Sequence, residues 1–205
     1  MQQKICYIIG AGECSRLLLP LKKEDFVIAV DGGYEYVKDG RVDLAIGDFD
    51  SLHYIPECKE KVVLQPEKDD TDTELAVQTA AEIGAEEIHI VGGTGSRLDH
   101  MLANVYLLGL LREQGISAYL VDAHNRVQVI DQRIVIKKET QYGKYVSLLP
   151  FMGAVEGITL KGMKYPLEDY TLDHCHSIGI SNEITGEQAE IEFRTGRLVV
   201  IESKD

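Results

Sequence analysis

The chain has 205 residues, enough for one large domain or for a medium domain plus a small one. Hydrophobic residues make up 44% and charged residues 27%, the balance of an ordinary soluble folded protein. A formal net charge of −13 with no offsetting basic run argues against a nucleic-acid partner, and no apolar stretch nears the about 20 residues that span a bilayer.

Strand candidates follow in chain order. Ile5–Ile9 is apolar, too short for the core of a signal peptide, and leads into Gly10-Ala11-Gly12, so a cytoplasmic setting is expected. Phe26–Val30, Leu44–Ile46, Val62–Leu64, Ile88–Val91 and Ala118–Val121 complete a first set. Most are continuously apolar, as parallel strands buried on both faces must be. Helical patterns separate them. Thr71-Asp72-Thr73-Glu74 reads as a capping box ahead of a helix that stops at Gly84. Asp99 is expected to open a second helix, with Leu102, Val105, Leu108 and Leu111 on its buried face and a stop at Gly115. Alternating strands and helices predict a doubly wound, mainly parallel α/β domain over residues 1–125.

From about residue 126 to 205 the pattern changes. Val127–Ile130, Ile134–Ile136, Tyr145–Leu149, Gly157–Leu160, Ala189–Phe193 and Arg197–Ile201 are strand-like and separated by turn residues, with no convincing long helix. This predicts a smaller all-β sandwich, near the lower size limit for a domain stable by itself.

In an open parallel sheet, ligands bind beyond the carboxyl ends of the strands. There the sequence places Asp31-Gly32-Gly33, then Gly47-Asp48-Phe49-Asp50-Ser51, then Lys68-Asp69-Asp70-Thr71-Asp72, and then Gly92-Gly93-Thr94-Gly95-Ser96-Arg97-Leu98-Asp99-His100. Aspartate and glycine are common turn residues, so any one of these loops reads as structural alone. Several acidic loops on one edge repel unless a cation joins them, and oxygen ligands at this density suit Mg²⁺ better than zinc. Asp48, Asp50 and Asp72 are the candidate metal residues.

Gly92–Gly95 is neither a P-loop nor a dinucleotide fingerprint, because Gly-Lys-Ser/Thr is missing and Leu98 stands where a third glycine is needed. It remains a strand-to-helix turn whose backbone N–H groups can approach phosphate, with Gly93 and Gly95 as candidate contacts and Arg97 as a nearby cation. Asp99 either caps the helix or reaches the acidic cluster, with capping the better reading. Gly10-Ala11-Gly12 is either a weaker phosphate contact or a tight turn. His174-Cys175-His176 offers metal-ligand types, but neighbours on a strand face opposite ways and no spaced partner motif accompanies them. In the β half, Ser177–Glu183 reads as a hairpin turn whose Ser181 and Asn182 also suit a polar heterocycle.

Taken in order, Asp31-Gly-Gly33, Gly47-Asp-Phe-Asp-Ser51, Lys68-Asp-Asp-Thr-Asp72, Gly92–His100 and Ser181-Asn-Glu183 resemble the motifs of the thiamine pyrophosphokinase family in its bacterial form, across nearly the whole chain. The resemblance implies a catalytic α/β domain, a thiamine-binding β-sandwich and a homodimer with active sites between subunits. It implies transfer of diphosphate from ATP to the hydroxyethyl oxygen of thiamine, giving thiamine diphosphate and AMP. It further implies that Asp48, Asp50 and Asp72 hold Mg²⁺, that Arg97 and Lys68 offset phosphate charge, and that Asp99 extends the cluster. Asp31, Gly93, Gly95 and Asn125 are carried over to the ATP side, and Ser181 and Asn182 to thiamine. The chain has no tryptophan, so another residue must cover the thiamine ring. Other readings stay open: a pterin alcohol as acceptor, a non-catalytic nucleotide or thiamine sensor, and a haloacid-dehalogenase phosphatase. The phosphatase motif normally follows a first strand and has Thr or Val where Leu52 stands, whereas here it follows the third strand candidate.

Overall fold

The computed structural model describes residues 4–12, 21–64, 71–95, 97–173 and 177–205. Contacts along the chain divide it into two compact units, Met1–Ala123 and His124–Asp205.

The N-terminal unit carries six strands: β1 (Ile5–Ile9), β2 (Phe26–Val30), β3 (Leu44–Gly47), β4 (Glu60–Val63), β5 (Glu87–Val91) and β6 (Ser117–Val121). Their order is β6-β5-β1-β2-β3-β4, and every pairing is parallel. The strands are apolar because both faces are covered: Cys6, Ile8, Ile28, Ala45, Ile46 and Ile88 are fully buried. The edge strand β4 differs. It begins two residues before the expected Val62 and is exposed at every position, because an edge strand lacks a second neighbour to bury it.

Two helices follow these strands. Helix α1 (Asp72–Glu82) is capped by Thr71, whose Oγ1 accepts the Glu74 N–H at 3.2 Å. It buries Ala76, Val77 and Ala80, and Gly84 closes it at φ 79°. Helix α2 (Leu98–Glu113) has Arg97 at the N-cap position, two residues before the expected Asp99. Its buried face is also rotated from the expected one. Asn104, Leu107, Leu108 and Leu111 are buried, whereas Leu102 is 52% exposed. The helix is apolar on most sides, so periodicity alone did not single out the inward face. A short 3-10 helix over Asp31–Tyr36, hidden by its Asp-Gly-Gly start, follows β2.

The C-terminal unit carries β7 (Asn125–Ile130), β8 (Ile134–Lys137), β9 (Tyr145–Pro150), β10 (Val155–Lys161), β11 (Leu167–Leu172), β12 (Asn182–Glu183), β13 (Gln188–Glu192) and β14 (Leu198–Ser203). Strands β12-β9-β14-β7 form one antiparallel array and β11-β10-β13-β8 another. One buried cluster draws on both: Ile130, Val146, Leu148 and Val200 from the first, Ile136, Leu160, Leu172 and Ile191 from the second. Two sheets closing on a shared core make a β-sandwich. Strands β11 and β12 lie outside the expected set. β11 (LEDYTL) is an edge strand with mostly exposed polar residues, and β12 has only two residues.

Candidate active site

In the N-terminal sheet, chain order reverses between β1 and β5, and the crevice beyond their carboxyl ends is where a ligand is expected. A cavity of about 400 Å³ opens there, within the ~300–1,000 Å³ usual for small-molecule sites. The loops after β1 and β5 form its floor. Gly10 N–H donates to Val91 O at 2.8 Å and Gly12 N–H to Gly92 O at 2.9 Å. A Cβ on Gly12 would lie 2.1 Å from Thr94 O, so only glycine permits this approach. These two amides are thus engaged within the protein, and Gly10-Ala11-Gly12 forms a tight turn in the cavity wall.

Asp31, Asp72, Gly93, Gly95 and Arg97, all singled out in the sequence, line this cavity together with the Gly10–Gly12 turn. Asp72 arrives in the first turn of α1, half-buried, where a negative charge meets the positive end of the helix dipole. Gly93 is fixed by a residue that motif reading passed over. Asn104, 6% exposed on α2, donates from Nδ2 to Gly93 O at 2.7 Å. The available signal was a polar side chain inside an apolar helical run, which must find a partner when buried.

Arg97 and Asp99 form a fork-to-fork pair, with Nε to Oδ1 at 3.1 Å and Nη2 to Oδ2 at 2.6 Å. Asp99 Oδ1 also accepts the His100 N–H at 2.9 Å. Hydrogen bonding from Arg97, then from that amide, pulls the Asp99 carboxyl down to about 2. Both side chains are about two-thirds exposed, at 68% and 64%. Asp99 therefore pairs with Arg97 and accepts one amide of the first turn without occupying the cap.

Asp48 and Asp50 sit on the turn after β3. Phe49 between them is 2% exposed, packed with Ala29, Tyr34 and Ala45, and adopts φ 58°. A left-handed conformation is uncommon for a bulky residue, and here the buried ring holds it. With Phe49 turned inward, Asp50 is exposed and Asp48 half-buried. Asp48 Oδ1 accepts the Asp50 N–H at 3.1 Å. Asp31 braces this turn, because its Oδ1 accepts the Phe49 N–H at 3.4 Å.

Asp48 and Asp50 are not part of the cavity wall. Among the described residues, no three carboxylate, histidine or cysteine side chains converge as a ready-made cation site. Lys68 and the His174-Cys175-His176 segment lie outside the described residues. The donor types still fit Mg²⁺, which keeps its waters and takes one or two carboxylates plus substrate phosphates, not an all-protein cage.

In the C-terminal unit, Asn125 opens β7 opposite Ser203. Ser181 is exposed at φ 55° and its N–H donates to Ser147 Oγ at 2.9 Å. Asn182 departs from the expectation of an open polar contact: it is 3% exposed and pairs with Val146 in β12.

Residues 18–120 match the family model described as "Thiamin pyrophosphokinase, catalytic domain", and residues 131–198 match "Thiamin pyrophosphokinase, vitamin B1 binding domain". The chain belongs to the thiamine pyrophosphokinase family. A thiamine pyrophosphokinase of Bacillus subtilis (strain 168) is 34% identical over 167 residues, covering 78% of each chain. Thiamin pyrophosphokinase 1 of Caenorhabditis elegans is 26% identical over 166 residues, or 76% of this chain and 68% of that one. Among solved structures, the Bacillus subtilis thiamine pyrophosphokinase superposes with a TM-score of 0.89 at 29% identity, covering 99% of this chain and 100% of that one. The Geobacillus thermodenitrificans thiamin pyrophosphokinase follows with a TM-score of 0.83 at 31% identity and 98% coverage of both chains. The family's mixed α/β architecture is the one described above.

Proposed function

We propose that this chain is an ATP:thiamine diphosphotransferase, which moves the β,γ-diphosphate of ATP onto the hydroxyethyl oxygen of thiamine and releases AMP. One observation carries the reading. The cavity at the switch point of the parallel sheet, with Arg97 and Asp72 in its wall, belongs to a chain whose two parts match the catalytic and vitamin B1-binding models of one family.

The proposed division of labour follows the chemistry of the side chains. The cavity takes the polyphosphate, with the Gly93 and Gly95 backbone against it and Arg97 offsetting its charge in a bidentate manner. Asp99 keeps the Arg97 guanidinium oriented toward the cavity. Lys68, four positions ahead of Asp72 in the sequence, supplies a second cation. Asp48, Asp50 and Asp72 would hold Mg²⁺, which neutralises polyphosphate charge when bound. Asp31 braces the Asp48–Asp50 turn from the ATP side. Asn125 approaches the adenine and Ser181 the thiamine. In these terms residues 1–125 serve ATP and residues 126–205 serve thiamine. The reading further includes a homodimer with active sites at the subunit interface, in the cytoplasm.

In-line attack needs the alcohol, the β-phosphorus and the departing AMP aligned, so most of the protein's work is positioning. Incubation of the purified chain with ATP, Mg²⁺ and thiamine tests the proposal, with AMP and thiamine diphosphate separated by chromatography. Stoichiometric appearance of both is expected. A folded protein that forms neither overturns the reading, and AMP formed with a pterin alcohol but not with thiamine moves the acceptor.

A further inference from the structure

Helix α2 carries two functional faces. Arg97 at its N-cap, with His100, Met101 and Asn104 on its first turns, stands in the cavity wall at the spacing of one helical face. A second row, Leu98, Leu102, Tyr106 and Leu110, recurs every four residues. These side chains are 65%, 52%, 58% and 40% exposed. At 1.5 Å per residue the row runs about 18 Å along the helix. Positions 101–111 carry no charged side chain. A helix apolar on most sides belongs in an interior, since burying one large aliphatic side chain is worth about 1.5–3 kcal/mol. An apolar row of this length on the outside marks a surface made to be covered.

A second copy of the chain is the occupant that the row itself fits. Side chains spaced by four form a ridge inclined to the helix axis, and two such ridges interlock at about −50°. Laid antiparallel across a two-fold axis, the row is its own complement: Leu98 faces the partner's Leu110, and Leu102 faces the partner's Tyr106. Charge points the same way. Two copies of net charge −13 repel, and their approach is least opposed where neither brings a carboxylate. The antiparallel arrangement also sets the negative end of each helix dipole beside the positive end of the other. A ridge about 18 Å long and one helix wide falls short of the ~800 Å² per partner of a standard interface, so it supplies the apolar centre and the polar surface around it the rim.

We propose that a second copy docks on this row of α2 and that the docking positions Arg97 for ATP, so that pairing of copies tightens the nucleotide site; the second step rests on the ATP reading above. Leu98 follows Arg97 directly and Leu102 lies one turn further on, so a partner pressed against them holds the turn that carries Arg97. The Arg97–Asp99 pair is about two-thirds exposed, and its direction follows that of the turn. Asn104 on the same helix passes the restraint to the glycine loop through Gly93 O. Leu98, Leu102, Tyr106 and Leu110 thus act on ATP without touching it. Pairing and ATP binding are linked, each strengthening the other by the same factor.

The test uses the full chain, with circular dichroism as the folding control. Sedimentation velocity reads the assembly state, and calorimetric titration with ATP and Mg²⁺, thiamine left out, reads ATP affinity apart from turnover. The parent is expected to be a dimer at micromolar concentration. Leu102→Glu and Tyr106→Lys, both on the exposed row and outside the cavity wall, are each expected to give folded monomers that bind ATP about tenfold more weakly. Mixed in equal amounts, the two variants are expected to pair again and to regain ATP affinity, because the two-fold axis sets the new carboxylate against the new ammonium. A monomeric parent, or variants that stay dimeric, overturns the contact, and failure of the mixed variants to pair overturns its antiparallel register. Monomeric variants whose ATP affinity stays within about twofold of the parent overturn the positioning of Arg97. A dimeric parent that binds no ATP contradicts the ATP reading of the cavity, while pairing of the mixed variants still upholds the contact.

Discussion

Asp31 fills the space that a side chain at Gly47 would need: a Cβ built there would lie 1.9 Å from Asp31 Oδ1. The end of β3 and the start of the 3-10 helix after β2 are thereby locked together. The same carboxylate receives the Phe49 N–H, so the direction of the Asp48–Asp50 turn depends on Asp31 staying in place.

Gly47→Ala is therefore expected to do more than crowd the core. Overpacking costs about 1–3 kcal/mol, and here the displaced group is the brace of the acidic turn. The expected outcome is a lowered melting temperature together with a fall in kcat/KM of about tenfold or more. A variant that loses stability but keeps its turnover would show that the turn does not depend on Asp31.

Asp48→Asn and Asp72→Asn keep side-chain shape and weaken cation binding. Each variant is expected to remain folded, to lose turnover by about 100-fold or more, and to need a higher Mg²⁺ concentration for half-maximal rate. Wild-type Mg²⁺ dependence in either variant would remove that residue from the cation site. Ser181→Ala, by contrast, should act on the thiamine KM with little change in kcat.

The Arg97–Asp99 pair has a defined pH window. Its carboxyl is depressed from an ordinary 3.8 to about 2, so the ionised pair is complete above about pH 4 and is lost as pH falls through about 2. Asp99 should add no acid limb to a rate profile measured between about pH 5 and 9. Asp99→Asn removes the oriented partner of Arg97 and should raise the ATP KM across that range, leaving the profile's shape unchanged. An acid limb near pH 5 that vanishes in Asp99→Asn would contradict this.

Asn104 offers a test of the glycine loop. Asn104→Asp replaces the donor to Gly93 O with an acceptor, and leaving that carbonyl unpaired costs about 1–3 kcal/mol. The ATP KM is expected to rise more than the thiamine KM. Lowering the pH toward the carboxyl's own range should restore part of the loss, because a protonated carboxyl donates again. Equal changes in both KM values, with no recovery at low pH, would reduce Asn104 to a packing residue.

How much of this was legible in the sequence follows from burial. Strands β1, β2 and β3 are largely covered on both faces and continuously apolar, and β5 and β6 keep a buried apolar face, so all five were readable within a residue or so. Edge strands β4 and β11 lack that signature, and residues such as Glu60 and Asp169 gave no alternation to follow. The acidic and glycine loops were readable because a parallel sheet presents strand ends on one edge. Their partners were not. Nothing in residue type announces that Asn104 reaches Gly93, that Asp31 fills the place of a side chain at Gly47, or that Asn182 faces inward onto Tyr165. These contacts join positions 11 to 17 residues apart and arise only when the chain is folded.

The central claim is that the cavity between the β1 and β5 loops supports diphosphoryl transfer from ATP to thiamine. Its most direct measurement is product analysis with ATP labelled at the β-phosphate, in the presence of Mg²⁺ and thiamine. The account predicts that the label passes to thiamine diphosphate in equal amount to the AMP formed, and that Asp72→Asn abolishes both. Label appearing in ADP or inorganic phosphate, with no thiamine diphosphate, would contradict it.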